Sequence, residues 1–280
     1  MERDLGRLPQ NTTAHTPQTG NQGASGEAPQ DLERVARRRA RPEYRSRAHL
    51  GAPVAVDGSN VTARLDAFER LSPLRGKRLL DFGCGNGIYT IKMGSRFTET
   101  AGIDVLPGHI EEARQRALEA GVTVDLRTVE GSLPWADGYF DAVTMIEVLE
   151  HVEDEYDSLT EIRRVMSGDG RLYVSVPNRY FPFETHGMHL GDRYVQHNVP
   201  FITWIPPLHR RVSEARSYTY SSLKRLLEDV GFIVSAPQYI MPPFEKSPIA
   251  RKLIAPVSEW LETSPLRSFG VSVLVVARPL

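Results

Sequence analysis

Apolar positions recur along the chain with two alternating periods. Leu65, Phe68 and Leu71 share one face at helical spacing, and Pro73 closes that run. Arg78-Leu79-Leu80-Asp81-Phe82 then reads as a short buried strand, followed by a glycine-rich turn and a helix from about Gly87. Thr100–Val105 predicts a second strand, and Ile110–Ala120 a helix closed by Gly121. Val122–Val129 and Asp141–Ile146 predict a third and a fourth strand. Leu159, Ile162, Val165 and Met166 mark an amphipathic helix stopped by Gly168-Asp169-Gly170, and Leu172–Val176 is a fifth strand ending at Pro177. Such alternation is what a parallel sheet demands, because each parallel crossover needs a connecting helix. Residues 178–217 then lose any clean period and mix aromatic, proline, histidine and arginine residues. A loop this long inside a compact domain is usually functional. The pattern resumes with Leu223, Leu226, Leu227 and Val230, capped by Gly231. Phe232–Met241 and Gly270–Ala277 predict two last strands, with a helix carrying Ile249, Leu253, Val257 and Leu261 between them. No internal repeat is present.

Composition narrows this picture only at the edges. The chain has 280 residues, a formal net charge of −1 and one cysteine. Balanced charge argues against a protein that coats nucleic acid, and one cysteine cannot close an intrachain disulfide. No apolar run approaches the roughly 18 residues that span a bilayer, and the N-terminus lacks a signal-peptide core. The expectation is a soluble, cytoplasmic protein. Residues 1–33 read as a disordered tail, too poor in large apolar side chains to offset chain entropy. Residues 34–60 form a basic arm or lid with Arg37, Arg38, Arg39, Arg41, Tyr44 and Arg45. A solvated helical face, a polyanion-binding arm and a flap near an anionic substrate all fit it, the solvated face best. Residues 61–280 are expected to form one domain. The sequon Asn11-Thr12-Thr13 is read as a chance match.

Chemistry first shows in the turn Asp81-Phe82-Gly83-Cys84-Gly85-Asn86-Gly87. Glycines there permit positive φ and let a ligand approach bare backbone, and the helix beyond offers unpaired N–H groups. A dinucleotide site would place its third glycine one residue later, where Ile88 stands. A carboxylate at the strand end suits an ammonium or sulfonium better than a pyrophosphate. Asp104 ends the second strand, where α/β nucleoside sites put the acid that accepts from both ribose hydroxyls. Cys84 could serve as a nucleophile, but in this turn it reads as a small packing residue.

With these motifs, Leu79–Gly231 resembles the class I S-adenosylmethionine-dependent methyltransferases, and within them the type 11 or quinone-type O-methyltransferases. The resemblance implies a Rossmann-like seven-stranded, mostly parallel sheet with helices on both faces and a cap inserted after strand five. It also implies S-adenosylmethionine as cofactor. Gly83, Cys84 and Gly85 would line its methionine part, with Asp81 near the amino group. Asp104 would hold the ribose and Val105 pack on the adenine. Glu130, Gly131 and Ser132 would meet the adenine edge, and Ile146 the sulfur side.

Glu147, Glu150 and His151 are spaced i, i+3, i+4, and on a helix they would project from one face. His151 is the candidate general base, since an imidazole suits proton removal at neutral pH. The same segment is similar to the E-x-x-E-H metal motif of plant-type small-RNA 2′-O-methyltransferases, with His186 or His189 as a later ligand. A divalent metal on Glu147, Glu150, His151 and His186 is therefore an option, magnesium or manganese by its oxygens, though not the favoured one. The cap's aromatics, with His209-Arg210-Arg211, fit an aromatic or lipid-like small-molecule acceptor; a purely structural cap is the alternative. The helix over Ile249–Leu261 reads as core packing rather than membrane contact. Methyl transfer to oxygen of a small molecule is the favoured reading. Its rivals are a metal-assisted RNA 2′-O-methyltransferase and a non-catalytic cofactor-binding protein. Oligomeric state is left open.

Overall fold

Neighbouring strand residues face opposite sides of the sheet, so a strand covered on both faces must be apolar at successive positions. Leu79 and Leu80, Tyr173 and Val174, and Leu274 and Val275 are such pairs, and the members of each pair enter separate buried clusters. A computed structural model describes residues 59–190, 193–196, 199–241 and 264–280. The expected tail 1–33, the arm up to residue 58 and the Ile249–Leu261 helix lie outside the described residues.

The chain opens with α1 (Ser59–Leu71), β1 (Gly76–Phe82), α2 (Ile88–Gly94), β2 (Phe97–Asp104), α3 (Pro107–Glu119), β3 (Asp125–Thr128) and β4 (Phe140–Ile146). It continues through α4 (Glu155–Val165), β5 (Met166–Pro177), α6 (Tyr220–Asp229), β10 (Phe232–Val234), β11 (Gln238–Ile240) and β12 (Ser272–Pro279). Between β5 and α6 lie β6 (Phe183–Glu184), β7 (Gly187–Leu190), β8 (Arg193–Gln196), β9 (Val199–Pro200) and α5 (Pro206–Val212). The main sheet runs β10-β12-β5-β4-β1-β2-β3, with β11 also on β12. β3, β2, β1, β4 and β5 are parallel, while β12 runs antiparallel to β5 and to both of its own edge partners. Strand order reverses at β1, and the crevice beyond the carboxyl ends of β1 and β4 is where such sheets bind ligands.

One face of the sheet is covered by α4 and α6 through Leu159, Ile162, Leu223 and Leu227. The other is covered by α1 and α2 through Val61, Leu65, Phe68 and Met93. α3 packs Ile110, Ala113 and Ala117 on Cys84 and Leu126.

Three local expectations change. α4 ends at Val165 because Met166 is already extended, and residues 166–170 enter β5 at a register shift opposite Phe140 and Ala142 rather than forming a stop. The single edge strand expected over Phe232–Met241 is two short pieces, each paired with its own part of β12. The gap is bridged by Ser235, whose N–H donates to Val276 O at 2.9 Å and whose Oγ accepts from Val276 N at 3.0 Å. The cap also has structure of its own, two small antiparallel ladders pairing β6 with β9 and β7 with β8. Strands of two to four residues are too short to show a period.

Candidate active site

The turn after β1 needs its glycines. Gly83, Gly85 and Gly87 have φ of 74°, 51° and 78°, in the left-handed region that side chains disfavour. A Cβ on Gly83 would sit 2.5 Å from Val148 Cγ2, and one on Gly87 2.9 Å from Ala113 Cβ. The turn therefore lies flat between the Val148 loop and α3. Cys84 N–H donates to Ile103 O at 2.7 Å, and Gly85 N–H to Asp104 Oδ2 at 3.0 Å. Asp104 also accepts from Leu106 N–H at 2.9 Å and meets His109 Nδ1 at 3.2 Å. Two backbone amides thus aim the carboxylate at a cavity of about 960 Å³. Gly83, Cys84, Gly85, Asp104, Val105, Glu130, Gly131, Ser132 and Ile146 all line this cavity. Cys84 is buried, and burial with Asp81 and Asp104 nearby keeps its thiol protonated, so packing rather than nucleophilic attack suits it.

Asp81 departs from expectation. It lies behind the turn, only 2% exposed, and is not on the cavity wall. Its oxygens accept from Thr90 Oγ1 at 2.5 Å and Thr144 Oγ1 at 2.8 Å, tying α2 and β4 to β1. Burial pushes its pKa up to about 6 despite those hydroxyls. A carboxyl whose pKa rises on folding stabilises the fold fully below its unfolded value and loses that contribution as pH climbs through about 6. Asp81→Asn should remove that loss, so urea unfolding should show it gaining up to ~3 kcal/mol relative to the parent between pH 4 and 7. Parallel pH profiles for the two chains would refute this account of Asp81.

The segment after β4 is a turn, not a helix on which Glu147, Glu150 and His151 would share one face. His151 N–H donates to Val148 O at 2.9 Å, and Glu147 has a φ of 55°. The turn separates the residues that helical spacing would have aligned. Glu147 points to Arg64 Nη2, 3.2 Å away, and accepts from Ser175 Oγ at 2.5 Å. Burial would raise its pKa, but the Arg64 guanidinium and the Ser175 hydroxyl hold it below the usual carboxylate value. Glu147 therefore leaves the expected metal set. Glu150, His151 and His186 remain together, with one ligand atom from each within 4.8 Å of the others.

Glu150 is 2% exposed and neither of its oxygens has a hydrogen-bond partner. Its pKa is pushed well up by burial and then by the Glu147 charge. A buried carboxyl without partners beside two imidazoles fits a divalent cation, and the two nitrogens shift preference from magnesium toward transition metals. His186 is oriented from behind by Glu184, whose Oε1 accepts from His186 N–H at 2.8 Å and lies 3.1 Å from Nδ1. The other Glu184 oxygen meets buried His209 Nε2 and accepts from Ser213 Oγ at 3.3 Å. Burial opposes its charge, but His186 and His209 hold Glu184 ionised. Such a carboxylate fixes an imidazole's orientation and leaves Nε2, 3.9 Å from Glu150 Oε1, directed inward. His189 is elsewhere, half exposed and 3.0 Å from Glu214 Oε1.

Several residues of the site carried no sequence signal. Arg64 and Tyr89 come from helices read only as amphipathic, and Arg64 Nη1 donates to Tyr89 Oη at 3.1 Å on the cavity wall. Arg216 donates to Val152 O at 2.6 Å and Glu153 O at 3.1 Å, pinning the loop beside His151. Arg164 binds Leu133 O at 3.0 Å and Trp135 O at 2.9 Å below the Glu130–Ser132 turn.

Residues 80–174 match the family model described as a methyltransferase domain. Over 133 residues the chain is 38% identical to a ubiquinone biosynthesis O-methyltransferase of Xanthomonas oryzae, covering 47% of this chain and 52% of that one. A protein of the same name from Pseudomonas aeruginosa is 36% identical over 118 residues, 41% of this chain and 51% of its own. The chain thus spans about half the length of the curated relatives it matches. In fold it is similar to an S-adenosylmethionine-dependent methyltransferase from Mesorhizobium loti, with a TM-score of 0.54 at 19% identity over 80% of this chain and 100% of that one. The [4+2]-cyclase SpnF has a TM-score of 0.55 at 20% identity, covering 89% and 92%. Residues 80–174 thus carry a methyltransferase domain, and the glycine turn, strand order and fold of the chain agree with it.

Proposed function

We propose that the protein methylates a hydroxyl oxygen of an apolar small molecule, with S-adenosylmethionine as donor. The observation that carries this reading is one continuous cavity. Its wall runs from the glycine turn and Asp104 to His151 and His186. At about 960 Å³ it stands near the upper end of ligand sites, room for a nucleoside-sized cofactor and a second small molecule. The curated relatives are named for O-methylation, which favours oxygen over nitrogen or carbon.

S-Adenosylmethionine supplies a methyl group already activated by its positively charged sulfur. The chain's part is alignment, exclusion of water and custody of the acceptor's proton. Asp104 and the Gly83–Gly85 backbone fix one end of the cavity, and Ile146 and Val148 give it an apolar middle. His151 takes the hydroxyl proton as the oxygen–methyl bond forms and the methyl–sulfur bond breaks. Were a divalent ion held by Glu150, His151 and His186, it would lower the hydroxyl's own pKa, and His151 would then serve as a ligand in place of the base. Because Glu147 is committed to Arg64, the four-ligand arrangement that supported an RNA substrate is not assembled.

Labelled cofactor offered with a panel of phenols and catechols tests the reading. His151→Ala should lower kcat by about 100-fold or more while cofactor affinity stays within about twofold. Retained kcat removes His151 from the chemistry, and cofactor binding with no transfer to any acceptor favours the non-catalytic alternative. Titrating zinc or manganese into the metal-free chain reads the ion site independently. Binding that Glu150→Gln abolishes supports it, and a chain that binds neither ion has no such site.

A further inference from the structure

The cap carries an exposed aromatic face that the cavity does not use. Phe201, Trp204 and Ile205 are 52%, 47% and 52% exposed, unusual for side chains of this size. Tyr180 and Phe269, which meet Trp204, are also exposed, as is Leu208 on the following helix. The Phe201 and Trp204 rings stand 4.9 Å apart, and Trp204 and Phe269 6.4 Å. Trp204 Nε1 donates to Tyr180 O at 3.2 Å, so the indole keeps its polar edge satisfied while its face points outward.

Among the described residues, the charges carried by the segments that bear this face have one sign. Arg210 and Arg211 are exposed in the last turn of α5, and Arg267 is exposed on the short 3₁₀ turn Pro265–Phe269 that carries Phe269. Among the described residues none of the three forms an ion pair, and the Arg210 charge adds to burial in lowering the pKa of Arg179. Neither Phe201–Val212 nor Pro265–Phe269 contains an aspartate or glutamate.

We propose that this face docks the protein on an anionic lipid surface. Exposed tryptophan, phenylalanine and isoleucine suit the boundary between headgroups and acyl chains, and arginines around them suit negative headgroups. A protein partner of ordinary composition would bring charges of both signs, which this face does not match. Docking here is peripheral, since no described helix is long and apolar enough to cross a membrane. The face adjoins the cavity through β6, where Phe183 is exposed and the next residue, Glu184, orients His186. The inference does not depend on which acceptor is methylated.

Co-sedimentation of the full chain with vesicles tests it, using phosphatidylcholine alone and phosphatidylcholine with about a third phosphatidylglycerol. Binding is expected to the anionic vesicles only and to fall at high salt. Arg210→Glu with Arg211→Glu should weaken it by about 25-fold or more, from roughly fivefold per arginine. Phe201→Ser with Trp204→Ser should abolish it. Both double variants should keep the parent's Tm and cofactor affinity, because the replaced side chains touch solvent. Equal binding to both vesicle types, or no effect of the substitutions, would overturn the proposal. A change of oligomeric state in the serine variant without vesicles would instead assign the face to a second copy of the chain, and would overturn it too.

Discussion

Asp104→Ala is expected to weaken S-adenosylmethionine binding by about 100-fold or more. A charged acceptor bonded to a hydroxyl pair contributes roughly 3 kcal/mol, and each 1.4 kcal/mol is tenfold in affinity. In this chain the carboxylate is aimed before any ligand arrives, because the Gly85 and Leu106 amides fix its two oxygens. Its remaining acceptor capacity faces the cavity, where His109 takes part of it. Alanine would also free the Gly85 amide and slacken the turn, so a fall in Tm should accompany the loss. Asp104→Asn grades the two effects. It keeps the shape and one acceptor oxygen but sets its NH2 against either the Gly85 or the Leu106 amide, so Tm should fall less than with alanine while affinity drops about tenfold. Calorimetric titration of both variants decides the matter. Unchanged affinity in both would mean that the cofactor's ribose does not meet Asp104.

The difference between what could and could not be read from the chain follows from how each feature is encoded. The cofactor turn was legible because its backbone admits little else. Left-handed φ at Gly83 and Gly87, with Val148 and Ala113 pressed against them, restricts those positions to glycine. β1 and β4 were legible because strands covered on both faces must be apolar at successive positions. Segment 147–151 was misread because spacing of i, i+3, i+4 is evidence of alignment only if the backbone is helical. Glu147 is left-handed and its side chain meets Arg64, distant in sequence, and no local signal marks either. Asp81 misled for a related reason. A carboxylate at a strand end looks like a ligand-binding group until Thr90 of the next helix and Thr144, remote in sequence, are seen to occupy it. Glu184 and His209 were hidden in the cap, where partners 25 residues apart meet across strands too short to show a period.

Arg64→Met should cost the fold about 3 kcal/mol or more, although Arg64 lies on a helix outside the matched methyltransferase domain. Its guanidinium is buried and meets Glu147, Tyr89 Oη at 3.1 Å and Ser272 Oγ at 3.2 Å. Removing one member of a buried pair leaves the other charged and uncompensated, and that exceeds what the pair itself contributes. The pH dependence identifies the cause. In the parent, Glu147 has a folded pKa below its unfolded value of 4.5, so its contribution is present above that value and is lost as pH falls through the folded one. Without Arg64, burial and the neighbouring Glu150 would raise the Glu147 pKa instead. The cost of Arg64→Met should then be largest near neutral pH and shrink toward pH 4, where Glu147 takes up a proton. Urea unfolding at several pH values measures this, and adding Glu147→Gln should recover at least about 1 kcal/mol of the loss at pH 7. A cost equal at pH 4 and pH 8, or strict additivity of the two substitutions, would reduce Arg64 to a packing residue of α1. The expected coupling makes α1 part of the site, because the side chain that pairs with Glu147 also donates to Tyr89 on the cavity wall.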